Sequence, residues 1–293
     1  EMSCLKMAKD IRQFDLIYSN TSAVCFGLML SKKYGIPHIW HIREFLDADH
    51  RFIFPFGKKA YYKTADNING EIIAISECLS KAVSPYFIHK NINLIYDDVD
   101  AVYVNPTNFS LEVHDLKILI AGDIKKGKGQ YEAIKAINIL KQKGINAELY
   151  IAGKIGDSAY FSTMKEFVNT NKLNNSVFFL GVVKDMNKLR SKMNIGIVAS
   201  ISEAFGRVTV EGMLSKMAMI GRNSGATREL IIDHQNGLLY DGSPEDLSKK
   251  IMQLQNIDLR VKIANNGFVY AMNKYTKGDC SKKIEELIKD YRK

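Results

Sequence analysis

Long apolar runs, paired cysteines and metal-ligand spacings are all missing from this 293-residue chain. No stretch approaches the roughly 18 consecutive apolar residues of a membrane-spanning helix, so no span is expected. Cys4, Cys25, Cys78 and Cys280 match neither a zinc framework nor a redox pair. They read as partly or wholly buried free thiols in a reducing, cytoplasmic setting. The histidines form no short-range cluster with acids, which argues against a structural zinc. The opening EMSCLKMAKDIRQ lacks the basic, apolar and small-residue zones of a secretory leader. It reads as the middle of a helix, so the chain is expected to begin inside a domain. Internal repeats and low-complexity tracts are absent as well.

What is present suits two domains with a substantial core, since 46% of the residues are apolar. The net charge of +9 is uneven: residues 1–110 hold 12 basic and 12 acidic side chains, so the excess falls on residues 111–293. A basic second half suits an anionic ligand or an anionic membrane face, and equally a plain soluble surface. Aromatic residues are not interleaved with the basic ones as in a base-stacking platform, which argues against nucleic acid.

Short apolar runs alternate with helical patterns throughout. In the first segment, strands are expected at 14–20, 36–42, 71–76 and 91–96, with helices at 22–35 and after Ser76. A linker is expected at about 97–114, where Asn105-Pro106 signals a turn. The second segment repeats the alternation, with strands at 116–123, 146–153, 176–183, 194–200, 217–223 and 236–241. Helices are expected at 129–144, 157–173, 186–193, after Glu203, and at 225–231, 243–256, 258–273 and 279–291. Strand and helix in alternation predict an α/β fold with parallel sheets. The expected division is 1–114, 115–275 and a terminal helix at 276–293 that can pack back on the first domain.

Ligands of open parallel sheets bind at the carboxyl ends of strands, so residues ending the apolar runs come first. AGDIKKGKGQ, residues 121–130, combines glycines for a tight turn with Lys125, Lys126 and Lys128 just before a helix. That turn can bind a diphosphate, and it also fits a solvated basic loop. It is not an ATPase phosphate loop, because Gly129 stands where Ser or Thr would hold magnesium. ISEAFGRVTVEGM, residues 201–213, places Glu203 in a turn and Glu211 about two helical turns on, around Phe205-Gly206. Glu203 fits hydroxyl binding or helix capping; Glu211 fits hydroxyl binding or a surface acid. Arg207, in the first helical turn, opposes the helix dipole and suits an anionic ligand. In HIWHIREF, residues 38–45, His41 can touch a ligand or belong to the core, and Trp40 packs inward. Arg43 and Glu44 can pair to organise that loop, although adjacent side chains often point apart. No Asp-x-Asp ends a strand, so no metal is expected.

These motifs together resemble the retaining glycosyltransferases of family 4, a group that includes bacterial polysaccharide and sucrose-phosphate synthases. The resemblance rests on AGDIKKGKGQ, IAGKIGD, VFFLGVVKDMNKL, SISEAFGRVTVEGMLSKMAMIGRNSGATRELI and NGLLY, and in the first lobe on FDLIYSN, PHIWHIREF, IIAIS and NLIYDDVD. It implies a GT-B fold of two Rossmann-like lobes with parallel sheets, and cytoplasmic transfer of a sugar in surface polysaccharide or glycoconjugate synthesis. The donor would be a UDP-sugar, with a GDP-sugar the alternative, and no further cofactor. Glu203 would contact the donor sugar, Glu211 the ribose hydroxyls, and Lys128 the diphosphate. Gly122, Lys126, Arg207 and the N–H groups of Phe205 and Gly206 would complete the donor site, and His41 would lie near the C6 hydroxyl. The acceptor would be a saccharide or a lipid-linked saccharide, and peripheral contact with the inner membrane face is compatible with the basic second half. Nothing in the sequence sets the oligomeric state.

Two positions depart from the family pattern. Asp123 stands where an arginine is usual, and Asp97-Asp98 where Asn-Gly is usual. The leading strand and glycine-rich loop of the first lobe have no counterpart, so that lobe is expected to be incomplete. The rival expectation is therefore a nucleotide-sugar-binding module that does not catalyse.

Overall fold

A computed structural model describes residues 11–46, 54, 57–100 and 116–291. The chain divides into two units, one of Glu1–Asp98 with Gly278–Lys293 and one of Val99–Lys277. Cys4 and most of the expected linker lie outside the described residues.

In the first unit β1 (Ile17–Ser19), α1 (Phe26–Tyr34), β2 (His38–Ile42), α2 (Gly57–Asp66), β3 (Ile72–Ala74), α3 (Glu77–Val83) and β4 (Ile92–Leu94) alternate, and all but α2 fall where the patterning predicts. The four strands pair in parallel in the order β1-β2-β3-β4. Gly35 ends α1 in the left-handed region and returns its N–H to Ser31, as a glycine stop does. Every residue of β2 is buried, so both faces of the sheet are covered there. Helix α2 is the element that periodicity did not indicate. Its sequence GKKAYYKTAD carries three lysines, and packing decides it. Tyr62 is 1% exposed and its ring meets those of Trp40, Tyr86 and Phe87 at 5.8, 5.2 and 5.7 Å.

The second unit holds β5 (Leu116–Ala121), α4 (Gln130–Gln142), β6 (Ala147–Ala152), α5 (Ser158–Thr170), β7 (Val177–Gly181), α6 (Met186–Arg190) and β8 (Ile195–Val198). It continues with α7 (Arg207–Leu214), β9 (Ala218–Arg222), α8 (Thr227–Leu230), β10 (Leu238–Tyr240), α9 (Pro244–Gln253) and α10 (Ile257–Tyr275). All six strands are parallel, in the order β10-β9-β8-β5-β6-β7. This is the Rossmann order, and its direction reverses between β5 and β8. Ile118 and Ile120 of β5, Leu149 and Ile151 of β6, and Ile195 and Ile197 of β8 form the core. Ala133, Ile134, Ile137 and Leu140 of α4 belong to the same cluster. Each fully buried Ile or Leu contributes about 1.5–3 kcal/mol, so the central strands are the rigid part of the unit. Ser243 caps α9 by accepting from Asp246 N–H, with Pro244 at the first helical position.

Helix α11 (Asp279–Lys289) returns to the first unit. Its Cys280, Ile284, Leu287 and Ile288 pack on Ile39, Ile73 and Ile95 of the four-stranded sheet region. Tyr291 donates to Glu71 Oε1 at 3.1 Å. Cys25, Cys78 and Cys280 are free thiols, each partly buried. No helix among the described residues is long and apolar enough to cross a membrane.

Candidate functional site

The reversal of strand order sets the site. Connections leaving β5 and β8 head to opposite flanks of the sheet, and a crevice is left at their carboxyl ends. Three loops meet there and are fastened by backbone groups. Ile201 N–H donates to Gly127 C=O at 2.8 Å, joining the loops after β8 and β5. Ala226 N–H donates to Glu203 C=O at 2.9 Å, and Ser224 Oγ to Ser200 C=O at 3.2 Å, bringing in the loop after β9. Gly129 has φ 74°, and a Cβ there would run into the Ala199 carbonyl. Only glycine satisfies both the left-handed backbone and that close approach.

This stitching puts Lys128 beside Glu203, 75 residues away in sequence. Lys128 Nζ lies 2.6 Å from Glu203 Oε1, with the side chains 28% and 19% exposed. Two groups expected to take different parts of one ligand thus form an ion pair. Lys126 is exposed and Lys125 is half-buried on the same turn. Gly122, at φ 140°, opens that turn. Asp123, which stands where the family pattern has arginine, is offset by Lys154, whose Nζ is 3.7 Å from its carboxylate. Gln130 Nε2 donates to the Asp123 carbonyl at 2.9 Å.

The helices starting beside the reversal, α4 and α7, begin at Gly129 and Gly206, both left-handed and without a side-chain cap. By contrast, α3, α5, α6, α9 and α10 begin at Ser76, Asp157, Asp185, Ser243 and Asn256, whose side chains accept from the helix. A helix start without an N-cap side chain keeps a partial positive charge and N–H donors for an anion, although in α4 the Tyr131 N–H donates to the Tyr160 hydroxyl at 3.0 Å. Phe205 is 3% exposed and its ring stands edge-on to Tyr275, so its backbone is what can serve a ligand. Arg207 is the first residue of α7, and its Nε lies 3.9 Å from Glu211 Oε1 one turn on.

Glu211 is held from the other side by Arg190 of α6, which pairs with its Oε2. Arg190 is 3% exposed, and its Nη1 also reaches Asn187 Oδ1 at 3.4 Å. A cavity of about 360 Å³ opens here, lined by Lys184, Asp185, Met186, Asn187, Arg190 and Glu211. The sequence reading did not single out Arg190. A signal was available: Met186, Leu189, Arg190 and Met193 share one helical face, so an arginine occupies an inward position. An inward arginine calls for a buried acid, but no local spacing names Glu211.

His41 belongs to the first unit. It is fully buried in β2, and its Nδ1 is 2.7 Å from the Tyr18 hydroxyl. Its Nε2 is buried with no protein partner. Burial, and then the charge of Arg43, pushes its pKa down to about 3, so the ring is neutral at pH 7. Arg43 and Glu44 do not pair with each other. Arg43 forms a two-pronged pair with Asp97, Nη1 to Oδ1 at 2.7 Å. Glu44 accepts from Thr21 Oγ1 at 2.8 Å and from Ser22 N–H and Oγ, each at 3.1 Å. Successive residues leave a strand end in opposite directions, so their partners lie on different loops. Among the described residues no three His, Cys, Asp or Glu side chains gather as a metal site.

The glycosyl transferases group 1 family model matches residues 107–269, more than half of the chain. The chain belongs to this family. It is 29% identical over 278 residues to an uncharacterized glycosyltransferase of Methanocaldococcus jannaschii, covering 91% of this chain and 74% of that protein. It is 23% identical over 266 residues to the D-inositol 3-phosphate glycosyltransferase of Paenarthrobacter aurescens, covering 83% of this chain and 64% of that one. The crystal structure of Anabaena HepE in complex with UDP and glucose superposes with a TM-score of 0.84 at 21% identity, covering 98% of this chain and 80% of HepE. The fold is accordingly α/β with two parallel sheets in GT-B-like Rossmann lobes.

Proposed function

We propose that the chain works in the transfer of a sugar from a nucleotide-sugar donor, a UDP-sugar ahead of a GDP-sugar, to a saccharide or lipid-linked acceptor. The observation that carries this reading is the Lys128–Glu203 pair, set between two uncapped helix starts where the strand order reverses. A cation, N–H donors at helix starts and a carboxylate match a diphosphate joined to a hydroxyl-rich sugar. UDP and glucose in the complex of HepE support the choice of base and of a sugar ligand.

In this reading Lys128, Arg207, the exposed Lys126 and the N–H groups at the start of α7 stabilise the departing diphosphate, whose charge grows as the glycosidic bond breaks. Gly122 and Gly206 let the backbone come close to it. Glu203 takes hydroxyls of the donor sugar, and Glu211 takes the ribose hydroxyls, with the nucleoside entering the cavity beside it. The resemblance to the retaining transferases of family 4 makes same-face transfer, with the leaving phosphate assisting the acceptor, the favoured course.

Calorimetry with UDP and GDP, followed by turnover of the matching sugar nucleotides, tests the proposal. Binding of one nucleotide with transfer supports it. Binding without turnover in the complete gene product leaves a nucleotide-sugar-binding module instead. Glu211→Ala should weaken nucleotide binding by about tenfold or more, the loss of hydrogen bonds to a charged acceptor. Unchanged affinity removes Glu211 from the ribose role.

A further inference from the structure

We propose that Arg190 is a positioning residue for nucleoside recognition, acting on the ribose through Glu211. The inference rests on Glu211 being the ribose acid. Arg190 is 3% exposed, a costly place for a guanidinium unless an acid meets it. The acid that meets it is Glu211, 21 residues on and on a different helix. Their contact ties α6, which ends just before β8, to α7, which follows it.

The geometry divides the labour between the two carboxylate oxygens. Oε2 is taken by Arg190. Oε1 faces the half-exposed Arg207 at 3.9 Å, beyond hydrogen-bond distance. A carboxylate tied at one oxygen has lost most of its rotamer freedom, so the other oxygen is presented in one direction. The backbone beneath it cannot drift, because Val210, Met213 and Leu214 are fully buried. Glu211 C=O also accepts from Ser215 N–H at 3.1 Å and from Ser215 Oγ at 2.9 Å. Arg190 and Glu211 line the same cavity, so the ordered carboxylate stands at its wall. A vicinal diol entering there meets an acceptor already aimed, and Arg190 supplies the aim.

The test is a cycle between protein and ligand. Dissociation constants are measured by calorimetry for UDP or GDP, whichever binds more tightly, and for its 2′,3′-dideoxy analogue, with wild type, Arg190→Met and Arg190→Lys. Arg190→Met should weaken binding of the natural nucleotide by about tenfold, as expected when one partner of a buried charge pair is removed. Binding of the dideoxy analogue should change by less than about twofold, because it has no hydroxyls for Glu211 to hold. Arg190→Lys should recover only part of the loss, since an ammonium keeps the charge and not the planar fork. If Arg190→Met does not fold, Arg190→Lys is read by the same ratio of natural to dideoxy loss. Equal losses for both ligands, or no loss for either, overturn the positioning role. A wild-type protein that binds both ligands equally, or neither, overturns the ribose reading of Glu211 itself.

Discussion

Replacing Glu203 by Gln should make the protein bind UDP more tightly while transferring sugar more slowly. Lys128 Nζ lies 2.6 Å from Glu203 Oε1, and both side chains are mostly shielded from water. A diphosphate that takes this lysine must draw it from its carboxylate or share it, and the carboxylate then stands close to added negative charge. Pairs with this much solvent contact are worth about 1 kcal/mol, toward the upper end of the exposed range. Recovering that amount corresponds to roughly fivefold tighter binding, since about 1.4 kcal/mol is tenfold. Gln keeps the shape and can still hydrogen-bond to Lys128, so the loops remain in place. The same pair supports the unliganded fold, so the melting temperature should fall by about 2–4 °C. Titration calorimetry with UDP alone reads the affinity without involving the sugar, and turnover of the UDP-sugar should drop because a ligand of the sugar is lost. Equal or weaker UDP binding by Glu203→Gln would refute the view that Glu203 competes with the diphosphate for Lys128.

Two further outcomes are expected. Gly129→Ala should lower the stability of the second unit by about 1–3 kcal/mol and weaken UDP binding with it, because the residue sits at φ 74° against the Ala199 carbonyl. A thermal melt identical to wild type would count against that close approach. The first unit should lose stability in acid. His41 and His38 are pushed down to about 3 and about 4, first by burial and then by Arg43 and Lys90. Unfolded histidine takes a proton near pH 6.5, so their support is complete above that pH and drains away as the pH falls toward 4 and then 3. Each contributes a slope of about 1.4 kcal/mol per pH unit within that window. Trp40, the single tryptophan, is fully buried in the same unit and reports its denaturant midpoint by fluorescence. A midpoint constant from pH 7 to pH 4 would refute the assignment.

Much of the fold was legible because its signals are local. Runs such as LKILIA and IGIV are apolar enough to be central strands, and Gly35 and Ser243 stop and start helices by their own chemistry. Helix α2 was not legible, since Tyr61 and Tyr62 gain their place only against Trp40 and Phe54. In the site, the candidate residues stood out by type and position, and their partners did not. Asp123 reads as an unwelcome acid until Lys154 is beside it. Arg43 and Glu44 are neighbours in sequence and turn to different loops.

By itself the sequence determined the alternation of strands and helices, the glycine-bearing turns after β5 and before α7, and the basic and acidic side chains that those turns carry. Those features depend on residue type and on spacing within a few positions. The tertiary structure alone decided the strand order β10-β9-β8-β5-β6-β7, and with it which charges meet. Lys128 finds Glu203 across 75 positions, Arg43 finds Asp97 across 54, and Arg190 finds Glu211 across 21. Parallel strands are joined by crossovers, so residues at neighbouring strand ends are far apart in the chain, and only the register of the sheet brings them within reach.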